Sequence, residues 1–114
     1  VRFKYGIELP YSTQLGKAVT FEHQHGIIIH GSAVIGDYCV IRQGVTIGSR
    51  NIENPFDAPI VGDYVNIGAG AKILGSVRVG HNAVIGANAV VINDIPDYAV
   101  AVGIPAKVIR INTN

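Results

Sequence analysis

The chain follows a six-residue period, in which a bulky apolar residue leads each repeat and a smaller, mostly apolar residue follows four places later. The clearest runs are residues 35–48 and 61–91. This period fits neither the helical period of about 3.6 residues nor the two-residue alternation of a simple strand. A short fixed period is typical of a solenoid. The leading positions are Leu9, Leu15, Phe21, Ile29, Ile35, Ile41, Ile47, Val61, Ile67, Ile73, Val79, Ile85 and Val91.

Each repeat predicts one short strand followed by a bend. Three repeats would close one coil, and equivalent positions would then stack at the spacing of paired strands, about 4.8 Å. The pattern therefore predicts an all-β fold, a parallel β-helix of about four coils shaped as a three-sided prism. The period does not determine the hand of winding. Glycine at the second position of many repeats suits a crowded or positive-φ corner.

Two insertions interrupt the period. Two residues are added near His25, and eight are added between Ile47 and Val61. The longer insertion predicts a loop at about residues 49–60 that projects from the prism and borders a binding site. Residues from about 95 to 114 lose the period and contain prolines, so they are expected to form a cap or tail.

Composition limits the classes of protein to consider. The 114 residues suffice for a single domain, with 48% hydrophobic and 15% charged residues. The net charge of +1 and the lack of a basic block argue against nucleic acid as a partner. No apolar run is long enough to span a membrane, and no signal peptide is evident. The chain contains no Met, so its native start is expected to be missing, and a cytoplasmic location is the default expectation.

Cys39 is the single cysteine of the chain, so it cannot form an intrachain disulfide. It occupies a fifth position of the repeat that is otherwise filled mostly by Ala or Val. We therefore interpret it as a small core residue and not as a nucleophile.

The repeats and the ending Gly103-Ile104-Pro105-Ala106-Lys107 resemble the bacterial hexapeptide-repeat acyltransferases, and in particular their serine acetyltransferase branch and its relatives that acetylate sugars or polysaccharides. Residues 8–23, 26–29 and 67–75 carry the resemblance. It implies a left-handed winding, acetyl-CoA as co-substrate and no metal. A three-sided prism with flat apolar walls also suits a cyclic homotrimer.

Site residues follow from the same resemblance. The segment Glu22-His23-Gln24-His25-Gly26 resembles the branch's Asp-His-X-X-Gly, which implies that His23 is the general base. The acidic residue expected fifteen positions upstream to orient the imidazole is Glu8. The positions implied to hold acetyl-CoA are Ser49, Ala69, Ala87 and Lys107.

The register supports this site independently. His23, Gln43, Ala69 and Ala87 each stand third in a repeat of the same face, so they are predicted to form one column with a groove for a long cofactor. Imidazole is a suitable base for deprotonating an acceptor hydroxyl as that hydroxyl attacks a thioester. We expect His25 to be structural, His81 to lie at the surface, and His30 to be a weaker candidate for acceptor contact.

Departures from the branch determine the predicted acceptor. Ala58-Pro59-Ile60 stands where serine acetyltransferases carry His-Pro-Lys, and Glu22 replaces the Asp that contacts the serine amino group. The start of the chain, residues 6–13, looks more like the polysaccharide O-acetyltransferases. We therefore predict O-acetylation of a sugar or polysaccharide hydroxyl, with Glu22 and Arg50 as acceptor contacts and serine as the alternative acceptor.

Two further classes stay open as alternatives. Carbonic anhydrases on the same solenoid bind zinc through three histidines, but three of the four histidines here crowd into residues 23–30. A non-catalytic binding module is the other alternative, and the pairing of His23 with Glu8 argues against it.

Overall fold

The computed structural model describes residues 7–23, 25–51, 54 and 56–112. Regular structure in these residues consists of short strands. In chain order they are β1 (Ile7–Glu8), β2 (Gln14–Leu15), β3 (Thr20–Glu22), β4 (Ile27–Ile29), β5 (Val34–Ile35), β6 (Val40–Arg42), β7 (Thr46–Gly48), β8 (Ile60–Val61), β9 (Asn66–Ile67), β10 (Lys72–Leu74), β11 (Arg78–Val79), β12 (Val84–Ile85), β13 (Val90–Val91), β14 (Ala99–Val102) and β15 (Lys107–Ile111).

The strands form three sheets, which are the three faces of a prism. Face 1 contains β1, β4, β7, β10 and β13; face 2 contains β2, β5, β8 and β11; face 3 contains β3, β6, β9, β12, β14 and β15. Successive strands belong to successive faces as far as β13, and the paired strands within a face are parallel, except that β15 runs antiparallel to β14. The predicted left-handed parallel β-helix with one loop and a C-terminal tail is confirmed.

The core is a stack of equivalent side chains on the prism axis. On face 3, Phe21 pairs with Ile41, Ile41 with Ile67, and Ile67 with Ile85. The last three are buried, as are the small residues at the fifth position of neighbouring repeats. The apolar period is therefore the burial pattern of the fold, with bulky and small side chains both pointing inward.

The coils continue further than the period indicates. Ile95 bridges to Val79 on face 2, and β14 adds a strand to face 3, so the structure has about five coils and not about four. Pro96 stands at a corner where the preceding coils have Gly, whose amide there donates to the next coil. No later coil follows on face 2 in the described residues, so a proline costs no ladder hydrogen bond at this position.

Second-position glycines relieve crowding. A Cβ on Gly36 would lie 2.4 Å from the carbonyl oxygen of Gly62, and its φ is not in the left-handed region. The left-handed conformation is instead adopted two residues later, by Tyr38 at φ 59° and by its equivalents in other coils. Gly48 differs, because a Cβ there would find Thr46 Cγ2 at 3.9 Å as its nearest neighbour.

None of the helical segments that a membrane span would require occurs in the described residues.

We predict that Gly36→Ala and Gly48→Ala differ sharply in stability. Gly36→Ala forces a methyl against backbone atoms and should lower the free energy of unfolding by roughly 1–3 kcal/mol or more. Gly48→Ala serves as the matched control and should change it by less than about 0.5 kcal/mol. Urea unfolding followed by circular dichroism measures both. Equal losses would contradict the crowding argument.

Cys39 lies in the core, as predicted. Its side chain is 0% exposed, and its Sγ lies 3.0 Å from the carbonyl oxygen of Gly62. Burial raises the pKa of the Cys39 thiol, which keeps it in the poorly nucleophilic protonated form.

We therefore expect Cys39 to be unreactive in the native protein. Iodoacetamide at pH 8 should label it at least about a hundredfold more slowly in the folded state than in urea, because the folded thiol is inaccessible and protonated. Mass spectrometry of the labelled protein measures the two rates. Similar rates would show that this coil opens readily.

Candidate active site

The corner between faces 3 and 1, which we call the 3/1 corner, carries a bulge in the first coil. Glu22 pairs with Arg42 and Ile28 pairs with Thr46, so the lower coil has five residues between these two pairs where the upper coil has three. His23 lies in this insertion, between the paired Glu22 and the corner residue His25. The amide of His25 donates to the carbonyl of His23 at 2.6 Å, which closes a tight turn.

The bulge changes which histidine joins the predicted column. The amide of Gly44 donates to the carbonyl of His25 at 2.7 Å, so His25 stacks beneath Gln43. The column continues upward, because the amides of Gly70 and Asn88 donate to the carbonyls of Gln43 and Ala69, each at 2.9 Å. The prediction that His23 itself stands in the column is wrong. His23 lies in the insertion that precedes this corner, and so outside the column.

His23 is exposed and has a φ of 53°. A positive φ alone does not mark a special site here, because the regular corners of this fold also use it, as at Ala18, Tyr38 and Asn88. What distinguishes His23 is that its conformation occurs outside a regular corner. The imidazole is therefore carried on a turn that the coil itself does not need, and solvent reaches it.

Glu8 lies in β1 on face 1, where it pairs with Ile28 of the coil above. Ile7 and Ile27 form the preceding pair of this ladder and are buried in the core, so Glu8, the next residue along the strand, points outward and is half-buried. Ile28 follows His25 by three residues. Glu8 and the histidine bulge thus occupy the same end of the prism and adjoin the same corner.

Glu22 takes part in an ionic cluster on face 3. Glu22 Oε1 lies 3.2 Å from Arg42 Nε, and Arg42 Nη1 also donates to Asn66 Oδ1 and, at 3.3 Å, to the carbonyl of Ile67. The Glu22 side chain is 45% exposed and the Arg42 side chain is 30% exposed. This places a half-buried guanidinium one coil above the residue that precedes His23.

Sequence reasoning missed Arg42, although a signal was present. Glu22 and Arg42 both stand at the second position of a repeat, which is Gly in many other repeats. Two oppositely charged residues in successive repeats of one face would stack directly. Assigning each repeat to a face, with the insertion near His25 left out of the count, would have placed Arg42 directly above Glu22.

The upper part of the 3/1 corner has small side chains. Ala69 is half-buried and Ala87 is exposed. The turn before β15 docks against the same corner, because Val90 donates to the carbonyl of Gly103 at 3.0 Å and Ala106 donates to that of Val90 at 2.8 Å. Lys107, the exposed first residue of β15, therefore lies near the top of the Ala69–Ala87 column.

Ser49 and Arg50 lie elsewhere. They follow β7 at the corner between faces 1 and 2, so face 1 separates them from His23. The Ser49 hydroxyl lies 3.0 Å from the carbonyl oxygen of Asn51 and 3.2 Å from that of Asn54, which orders the start of the projecting loop. Arg50 is exposed, and its Cβ packs beside Gly75. Within one chain the structure does not bring these two residues to the histidine bulge.

Metal binding has no support in the part of the chain that the structure describes. No group of three or more His, Cys, Asp and Glu side chains is arranged there to hold an ion. His30 Nδ1 accepts from the amide of Ser32, and His81 Nδ1 accepts from the amide of Asp63. Both rings are thus used locally by the turns of the coil.

Known proteins resemble this chain over nearly its whole length. Residues 58–93 match the family described as bacterial transferase hexapeptide (six repeats). The serine acetyltransferase of Synechococcus elongatus is 40% identical over 108 residues, which cover 95% of this chain and 44% of that protein. The serine acetyltransferase of Staphylococcus aureus is 40% identical over 109 residues, which cover 96% of this chain and 51% of that protein.

A solved structure shows the same fold. Serine acetyltransferase from Brucella abortus in complex with coenzyme A superposes with a TM-score of 0.86 at 33% identity, covering 90% of this chain and 41% of that one. The chain thus spans about half the length of the curated relatives that it matches.

The prediction of a sugar or polysaccharide acceptor is wrong, because these relatives are serine acetyltransferases. The prediction gave weight to two local departures, Ala58 in place of a histidine and Glu22 in place of an aspartate, and to the look of residues 6–13, over the likeness of the whole chain. The repeats, the coil register and these relatives all support the hexapeptide-repeat acyltransferase superfamily, and within it the serine acetyltransferase-like branch.

Proposed function

We propose that this protein is a serine O-acetyltransferase, which transfers the acetyl group of acetyl-CoA to the hydroxyl of L-serine. The observation that carries the proposal is the 40% identity to serine acetyltransferases across 95% of the chain. The coenzyme A complex of the Brucella abortus protein supports acetyl-CoA as the donor.

His23 is the proposed general base. Its imidazole accepts the hydroxyl proton of serine while the serine oxygen attacks the thioester carbonyl, and the resulting tetrahedral intermediate expels the CoA thiolate. The imidazolium then returns the proton to the departing sulfur, so the products are O-acetylserine and free CoA. The exposed turn that carries His23 suits this role, because both substrates can approach the ring.

Glu8 is the proposed orienting residue. A carboxylate hydrogen-bonded to the second ring nitrogen fixes the tautomer that leaves the reactive nitrogen free, and it stabilises the imidazolium. The half-buried position of Glu8 at the same end of the prism supports this assignment. A carboxylate on a strand of a rigid coil also keeps a fixed direction, which positioning requires.

The proposed cofactor groove is the Ala69–Ala87 column. Small side chains leave the backbone accessible to a pantetheine arm, and Lys107 at the top of the column supplies positive charge for the CoA phosphates. We assign Ser49 and Arg50 to a site shared between subunits of a homotrimer. Since face 1 separates them from His23 within a chain, a cyclic assembly would have to bring the loop corner of one subunit to the 3/1 corner of the next.

The acceptor assignment predicts serine-dependent release of CoA. Purified protein with acetyl-CoA and L-serine should generate free thiol, measured with a disulfide reagent, and mass spectrometry should identify O-acetylserine. Glucose, galactose and N-acetylglucosamine serve as comparison acceptors and should give no more than the background hydrolysis rate. Transfer to a sugar but not to serine would contradict the proposal.

The base assignment predicts a large loss of turnover in His23→Ala. Removing a general base lowers kcat by roughly 10²–10⁴-fold, whereas KM for acetyl-CoA should change little. The matched control is His81→Asp, because Asp occupies the equivalent corner position in neighbouring coils, at Asp63 and Asp97. Loss of activity in His25→Ala but not in His23→Ala would move the base to the column.

A further inference from the structure

We infer that Arg42 binds the carboxylate of the acceptor, and that Glu22 and Arg42 together recognise the charged ends of an amino acid. The inference rests on the proposed serine acetyltransferase function. It extends that function by assigning acceptor specificity to a residue that the repeat pattern would fill with glycine.

Position is the first argument. Glu22 directly precedes His23, and the parallel register places Arg42 on Glu22, one coil higher on the same face. One coil is about 4.8 Å. A serine hydroxyl held at the His23 imidazole would therefore have its amino and carboxylate groups within reach of this ion pair, since both lie two bonds from the carbon that bears the hydroxyl.

The second argument is the fixed direction of the guanidinium. Arg42 contacts Glu22 through Nε, and it contacts Asn66 and the Ile67 carbonyl through Nη1. These three acceptors hold the planar group against face 3. Of the five N–H donors of a guanidinium, these contacts leave the two on Nη2, which can donate to a further carboxylate.

Charge complementarity is the third argument. A zwitterionic amino acid carries an ammonium beside a carboxylate, and the Glu22–Arg42 pair presents the opposite charges in the same spacing of a few ångströms. A neutral sugar has no ammonium or carboxylate group to pair with these two charges. The pair therefore favours serine over the uncharged acceptors that share its hydroxyl chemistry.

A purely structural role is the competing interpretation, in which the ion pair only joins two coils. Partly exposed ion pairs contribute little to stability. Arg42→Gln should therefore leave the fold intact and lose only recognition, which separates the two roles experimentally.

The test compares L-serine with L-serinamide, in which a neutral amide replaces the carboxylate. The wild type should show kcat/KM about tenfold to a hundredfold higher for serine, the range expected for one charge-assisted contact. In Arg42→Gln this ratio should fall close to one through a higher KM for serine, while KM for acetyl-CoA and the melting temperature stay unchanged. Arg42→Lys should keep part of the ratio, because it retains the charge without the planar guanidinium that these contacts hold in place.

Arg78→Gln is the matched control, because Arg78 is an exposed arginine in β11 on face 2, and it should retain the wild-type ratio. If the wild type acetylates serine but Arg42→Gln keeps the ratio, or loses activity equally with both acceptors, the role of Arg42 is overturned and the proposed function stands. If the wild type releases no CoA with serine, the proposed function fails and the role of Arg42 fails with it.

Discussion

Parallel pairing between successive coils is the constraint on which the rest of the molecule depends. Each coil must place its strands directly over those below, because the backbone hydrogen bonds of every face run between coils. The stacked rings of Tyr38 and Tyr64 show the resulting repeat, with centroids 5.0 Å apart and planes inclined by 13°. A residue's place in the repeat therefore decides both its depth in the prism and its neighbours above and below.

The corner between faces 2 and 3 shows how strictly this constraint acts on side chains. The amide of Asp37 donates to Asp63 Oδ1, the amide of Asp63 to His81 Nδ1, and the amide of His81 to Asp97 Oδ1, each at 2.8 Å. Each side chain thus satisfies a backbone donor one coil below. His81 fills a place that belongs to Asp in its neighbours, which explains an exposed histidine without any catalytic role.

The same constraint explains why the histidine bulge is informative. Pairing resumes at Ile27 after the bulge, so the ladder does not absorb the insertion that contains His23. The ladder does not absorb the eight-residue insertion after β7 either, since β8 pairs in register with β5. Insertions in a solenoid of this kind leave the core unchanged and project chemistry outward, so the positions where the period breaks are the positions to examine for function.

Much of this could be read from the period, and the limits have physical causes. The leading apolar residues, the loop and the burial of Cys39 follow from a repeat that fixes burial. The last coil was missed because Pro96 and the shortened run from Val91 to Ile95 hide the period where no further strand needs to pair. The column was assigned to His23 because counting forward from Phe21 ignores the fact that the extra residues come before the corner.

Acceptor choice was the harder inference, because it depends on a few side chains and not on the period. Taken alone, Ala58 and Glu22 each look like the loss of a residue that the serine acetyltransferase branch carries. With the coils stacked, Glu22 is half of an ion pair whose other half, Arg42, lies outside the motif that contains the base. In a rigid helix of coils, a side chain at the equivalent position one coil away can supply an interaction that the motif itself lacks, without altering the backbone. Specificity in such a fold is therefore better judged by columns of stacked positions than by motifs along the chain.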